Sequence, residues 1–146
     1  TTVSGLAKGI DKKVHQKTIE LGGRTIGIIG TGLDHYYPFE NESLQKEIAR
    51  NHLLISEYPL GSKPLKHHFP MRNRIIAGLS LGTLVIEAKY RSGSLITANL
   101  ALQEGREVFA VPGNITNPYS EGTNDLILHG AKCVLSPQHI LEELNR

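Results

Sequence analysis

The chain contains one cysteine, no tryptophan, and no apolar run approaching the roughly 20 residues needed to cross a bilayer. A single cysteine excludes an internal disulfide and a multi-cysteine zinc cage. Cys133 lies in the apolar run Cys133-Val134-Leu135 and is expected to be buried packing. With five tyrosines and three phenylalanines, an extended aromatic stacking platform is not expected. Thr1 opens directly into patterned sequence with no charged-then-apolar leader, so a cytoplasmic location is expected. A Walker loop and a histidine-glutamate metal helix are both missing. Gly78-Leu79-Ser80-Leu81-Gly82 has the letters of a nucleophile elbow, but it ends a helix and leads into a strand, the reverse of the order that chemistry needs.

What is present is a soluble-type composition. The 146 residues are 39% hydrophobic and 21% charged, enough to bury the core of one ordinary domain. The net charge is only +2, yet Gly61 to Leu84 holds Lys63, Lys66, Arg72 and Arg74 without a carboxylate, leaving a net −2 for the rest. An anionic partner is therefore expected at this window.

The hydrophobic periodicity alternates between helix and strand. Gly5 to Leu21 places Leu6, Ile10, Val14 and Leu21 on one helical face, capped near Ser4 and ended by Gly22-Gly23. Thr25 to Gly30 reads as a strand buried on both faces, Glu42 to Asn51 as a helix, and Leu53 to Tyr58 as the next strand. After the basic loop, Pro70 to Leu79 reads as a helix with Ile75, Ile76 and Leu79 inward. Thr83 to Ala88, Glu107 to Val111 and Lys132 to Leu135 read as strands. Ser94 to Glu104, Thr123 to Gly130 and Pro137 to Leu144 read as helices. Five strands alternating with six helices imply an α/β domain over residues 1–146: a Rossmann-like, doubly wound, mostly parallel sheet with helices on both faces. Because a helix comes first, a strand is expected upstream.

In such a sheet the loops after the strands emerge at one edge, where helix N-termini also point. Ser4-Gly5 with Lys8, Gly30 to Pro38, the basic loop to Arg74, Arg91 to Thr97, and Pro112 to Thr123 are the segments placed there. In the basic loop, unpaired helix N–H groups, the forked donors of Arg72 and Arg74, and the point charge of Lys66 suit a phosphate. Phe69 can lie across a base; the alternative is that it plugs the helix end while the arginines pair with Glu57 and Glu87. His67 and His68 are adjacent and expected to be solvated loop residues. Arg91-Ser92-Gly93-Ser94 brings a glycine and a cap serine that either close the helix or face a phosphate. Gly30-Thr31-Gly32 begins like a dinucleotide fingerprint, but His35 occupies the third glycine's place and Tyr58-Pro59 follow Glu57, so NAD is not expected. Asp34 reads as a turn residue. Glu87 has the position of a general base, but beside the basic loop it reads as an arginine partner.

Read together, Val3 to Asp11, Gly30 to Asp34, Phe69 to Ser80, Ser92 to Ala98 and Phe109 to Gly113 closely resemble the Rossmann-like core of the DNA processing protein A family, DprA/Smf. The likeness runs in order through Gly122-Thr123-Asn124 to the last helix. It implies a bacterial protein that binds and shields single-stranded DNA, helps load a RecA-type recombinase in natural transformation, dimerises through this core, and catalyses no reaction. No cofactor, metal or membrane is implied. The family's DNA pocket maps to Lys66, Phe69, Arg72, Asn73 and Arg74; Ser4, Gly5 and Lys8 are expected to bind DNA alongside it, and the loops' own residue chemistry adds Lys63, Arg91, Ser92, Gly93, Ser94 and Thr97 as phosphate contacts. Lys8 stands where the family commonly has arginine. The family's upstream Gly-Ser-Arg segment and its flanking domains are not among these residues.

Two other functions compete. One is a small-nucleotide enzyme or sensor akin to the nucleotide phosphoribohydrolases, although Leu81-Gly82-Thr83 lacks their Pro-Gly-Gly-x-Gly-Thr. The other is a purely structural interaction module.

Overall fold

The structure is a computed structural model and describes residues 1–145. The chain falls into two compact units, Thr1–Ile76 and the remainder from Ala77. Both are parallel α/β, the architecture the alternating periodicity implies.

In the first unit, β1 (Thr2–Ser4), β2 (Thr25–Ile29) and β3 (Leu53–Ser56) form a parallel sheet in that order. Val3 lies opposite Ile26, and Gly27 opposite Leu54. The helices are α1 (Ile10–Glu20), α2 (Glu42–Asn51) and α3 (His68–Leu79), with a 3-10 turn at Phe39–Asn41. Leu6, Ile29 and Ile48 make the core, with Ile19, Leu44 and Leu54 packed around them. Gly27 admits no side chain: a Cβ there would press on Leu6 and Leu54 at 3.1 and 3.2 Å.

In the second unit, β4 (Gly82–Val85), β5 (Glu107–Ala110) and β6 (Lys132–Cys133) form another parallel sheet in that order. It carries α4 (Gly93–Gln103), α5 (Glu121–Leu128) and α6 (Pro137–Leu144), and a 3-10 turn at Pro118–Ser120. Its core is built from small side chains, Ala77, Ala88, Ala98, Ala101 and Ala110, closed by Val85, Val108 and Leu126.

Several sequence expectations are corrected. The strands among the described residues number six, because Thr2–Ser4 pairs with Thr25–Gly27 ahead of the first helix. That helix begins at Ile10 rather than Gly5, and its cap is Gly9 at φ 82° rather than Ser4. Leu6 is buried in the preceding loop and Leu21 is exposed, while the buried side chain of α1 is His15. In α3 it is Arg72, Asn73 and Ala77 that are buried; Ile75 and Ile76 are half-buried and Leu79 is 53% exposed. Cys133 is exposed, and its neighbour Val134 takes the core position. With a period of two, a one-residue difference in strand phase exchanges inside for outside.

Candidate nucleic-acid interface

Three chain segments meet at the carboxyl ends of the first unit's strands. After β1, Gly5 gives its N–H to Asp11 Oδ2 at 2.9 Å and the backbone turns through Leu6 at φ 57°. After β2, Gly30 to Pro38 leads to the 3-10 turn, and Asn41 reaches back to donate from Nδ2 to Leu6 O at 2.8 Å. After β3, Ser56 Oγ donates to Thr31 O and accepts from Tyr58 N, turning the chain into the basic loop and α3.

Arg72 ties these segments together. Its Nη1 donates to Gly5 O at 2.7 Å and Ile28 O at 2.8 Å, and its Nε donates to Asn73 Oδ1 at 2.9 Å. The residue is only 7% exposed. Burial pushes its guanidinium below the ordinary arginine range, and the Asp11 carboxylate opposes that shift. Arg72 forms no ion pair with a carboxylate among the described residues. It is a buried cation held by carbonyl dipoles. Gly5 makes this possible, since a Cβ there would sit 2.5 Å from Arg72 Cζ.

Beside this cation lies a cavity of about 560 Å³. Tyr36, Tyr37, Phe39 and Phe69 contribute its aromatic wall, Gly5 and Arg72 its inner end, and Lys8 its charged side. The Phe69 ring lies 5.3 Å from that of Tyr37 and 5.3 Å from Arg72 Cζ. Gly30 seats Phe69, because a Cβ there would meet Cε1 at 3.0 Å. Half of the chain's tyrosines and phenylalanines are gathered here. Few aromatics in total did not mean few at one place. The signal for this gathering in the letters is the run His35-Tyr36-Tyr37-Pro38-Phe39 directly after a strand.

Of the expected site residues, Gly5, Lys8, Phe69 and Arg72 line the cavity. Lys8 also pairs with Glu40 at 3.4 Å. Ser4 is inside β1, and Asn73 is buried against Arg72. Arg74 is not an open fork: it points outward and pairs with Glu57. Lys63 and Lys66 are exposed on the loop and join no ion pair among the described residues. His68 is not solvated. It is buried, with Nδ1 2.8 Å from Gly30 O and its ring stacked on Tyr58 at 3.8 Å. Gly32 serves close packing, since a Cβ there would lie 2.6 Å from Pro59 O. Asp34 accepts from Gly61 N with both carboxylate oxygens, at 2.8 and 3.0 Å, which holds its carboxyl below the usual range.

Arg91, Ser92, Gly93, Ser94 and Thr97 belong to the second unit, at the start of α4. Ser92 is the cap residue, yet its side chain makes no cap bond and Oγ is buried without a hydrogen-bond partner among the described residues. Thr97 Oγ1 donates to Gly93 O at 3.3 Å. Glu87 is exposed and pairs with no cation among the described residues. Among the described residues no group of three or more His, Cys, Asp or Glu is placed to hold a metal ion, and no helix is long and apolar enough to cross a membrane.

A parallel α/β fold with a cation-and-aromatic cavity beyond its strand ends defines a ligand-binding protein of the Rossmann-like class. The chain belongs to the DNA recombination-mediator protein A family, whose model matches residues 1–145. It is 57% identical over 141 residues to DNA processing protein DprA of Streptococcus pneumoniae, covering 97% of this chain and 50% of that protein. To DNA processing protein DprA of Bacillus subtilis it is 55% identical over 142 residues, covering 97% and 48%. The chain thus spans about half the length of these relatives. The crystal structure of the Streptococcus pneumoniae protein superposes with a TM-score of 0.95, covering 97% of this chain and 50% of that one. DNA processing protein A from Helicobacter pylori, a protein described as having a unique single-stranded DNA binding mode, superposes with a TM-score of 0.88 at 33% identity, covering 97% of this chain and 64% of that one.

Proposed function

We propose that this chain binds single-stranded DNA in DNA processing, seating a base in the aromatic cavity and the adjoining phosphates on Lys8, Lys66 and the buried cation. The observation that carries the reading is Arg72. A buried guanidinium held by two carbonyls, with no carboxylate in ion-pair contact among the described residues and only the longer-range pull of Asp11, leaves net positive potential beside the cavity. Phe69 and Tyr37 beside it give a base a π-face. Family membership and the DNA-binding relative support the same choice. Phe69, Lys8, Lys66 and Arg72 are the working residues, and Asn73 positions Arg72.

The reading extends to the whole protein's setting: a cytoplasmic homodimer that protects incoming single strands and hands them to a RecA-type recombinase without catalysing a reaction. The cavity's lining carries no carboxylate among the described residues, which suits binding rather than general-base chemistry. Its volume would also admit a single nucleotide. Fluorescence anisotropy with labelled oligo-dT at low salt separates the readings. Lys66→Ala and Arg72→Glu are each expected to weaken binding strongly; unchanged affinity in both would sink this site assignment, and a parent chain that fails to bind oligo-dT would sink the DNA reading. Release of base from adenosine monophosphate would install the hydrolase reading instead.

A further inference from the structure

The second unit holds a cluster that the cavity does not use. Its β4–α4 loop carries Lys89, Tyr90 and Arg91, and the loop after β5 carries Tyr119. Tyr90 is 73% exposed and Tyr119 is 47% exposed. Each ring has a cation over one face: Lys89 Nζ lies 4.6 Å from the Tyr119 centroid, and Arg91 Cζ lies 5.4 Å from that of Tyr90. Neither cation pairs with a carboxylate among the described residues, although Glu87 and Glu121 are close in sequence.

These side chains stand on a firm base. Ala88 N donates to Tyr119 O at 2.8 Å and Gly122 N donates to Ala88 O at 2.8 Å, which joins the two loops backbone to backbone. Gly122 allows no side chain, since a Cβ would lie 2.7 Å from Ala88 O. Asn117 Oδ1 accepts from Tyr119 N at 3.0 Å and fixes the second loop. Arg91 holds φ 62°, a left-handed conformation in which glycine would be less strained. Backbone strain of this kind clusters at ligand sites.

We infer that Lys89, Tyr90, Arg91 and Tyr119 form a second contact for single-stranded DNA, separate from the cavity of the first unit. A base stacks on the open face of each tyrosine, and the cation already held at the ring reaches the phosphate that accompanies it. The pairing of one cation with one ring matches the repeat of a single strand, one charge and one π-face per nucleotide. The first turn of α4, next to this loop, holds no acidic residue to repel an anion. This inference rests on the single-stranded DNA reading given above.

The test uses the full chain, labelled oligo-dT at low salt, and three double variants: Tyr90→Ala with Tyr119→Ala, Lys89→Ala with Arg91→Gly, and Lys66→Ala with Phe69→Ala. Glycine at 91 keeps the left-handed backbone while removing the charge. The double tyrosine variant, which loses two stacked bases, is expected to raise Kd by about thirtyfold or more, and the double cation variant by about fivefold to tenfold. Photocrosslinking of the unmutated chain to oligonucleotides carrying 5-iododeoxyuridine is expected to give adducts on Tyr90 or Tyr119, a readout that no folding defect can mimic. If both loop variants bind like the parent, adducts fall only within 1–76, and the Lys66/Phe69 variant loses binding, the second contact is overturned and the DNA reading stands. If the unmutated chain fails to bind oligo-dT, both fall together.

Discussion

Arg72 and Gly5 act as one unit at the residue scale. Removing the guanidinium leaves Gly5 O and Ile28 O without their shared donor, so Arg72→Ala is expected to cost about 3 kcal/mol of stability. Gly5→Ala forces the same group aside and is expected to cost about 1–3 kcal/mol. Urea denaturation checks both, and a Gly5→Ala midpoint equal to the parent's would contradict the close approach. His15 sets a second residue-scale expectation. Fully buried, with Nδ1 2.7 Å from Thr25 Oγ1, it is pushed by burial from 6.5 to about 4, against the pull of Asp11 and of the Ser4 backbone. The fold accepts the neutral ring, so unfolding takes up a proton between these two values. The resulting stability is whole above pH 6.5 and is lost as the pH falls toward 4, up to about 3 kcal/mol. His15→Gln is expected to flatten the acid side of the stability–pH curve, and an unchanged slope would assign that loss to other groups.

Elements differed in how far the sequence revealed them. α2 and α6 follow the boundaries their periodicity implies, because Leu44 with Ile48 and Ile140 with Leu141 mark one face between clear turn residues. β1 was passed over because Thr2-Val3-Ser4 is too short to show a period; only pairing with Thr25–Gly27 makes it a strand. The basic loop was legible as charge but not as geometry. Nothing in the letters distinguishes Arg72, which turns inward to carbonyls, from Arg74, which turns outward to Glu57, although two positions along a helix separate their directions by about 200°. The aromatic lining draws Phe39 from the 3-10 turn and Phe69 from α3. Tyr37→Ala and Phe69→Ala are each expected to weaken oligo-dT binding about fivefold or more. Leu33→Ala, exposed on the same loop but outside the lining, serves as the control expected to leave Kd unchanged.

For the molecule as a whole, a net charge of +2 gives little long-range attraction for DNA, so affinity is expected to come from local cations. Binding should therefore weaken steeply with salt, with log K falling linearly against log salt concentration. Removing one phosphate contact by Lys66→Ala is expected to reduce that slope by about 0.7. A salt titration of the parent and variant checks this, and parallel lines would place Lys66 away from the phosphates.

The closeness of Gly5 to Arg72 also has a consequence in evolutionary time. With 2.5 Å between a would-be Cβ and the guanidinium carbon, position 5 is not at liberty to gain a side chain while the arginine stays. A lineage that keeps the arginine is bound to glycine 67 residues upstream, whereas one that loses the arginine is released from it. Aligned descendants of this gene are expected to show the two positions inherited as a pair, and a side chain at position 5 to appear only after the arginine has gone.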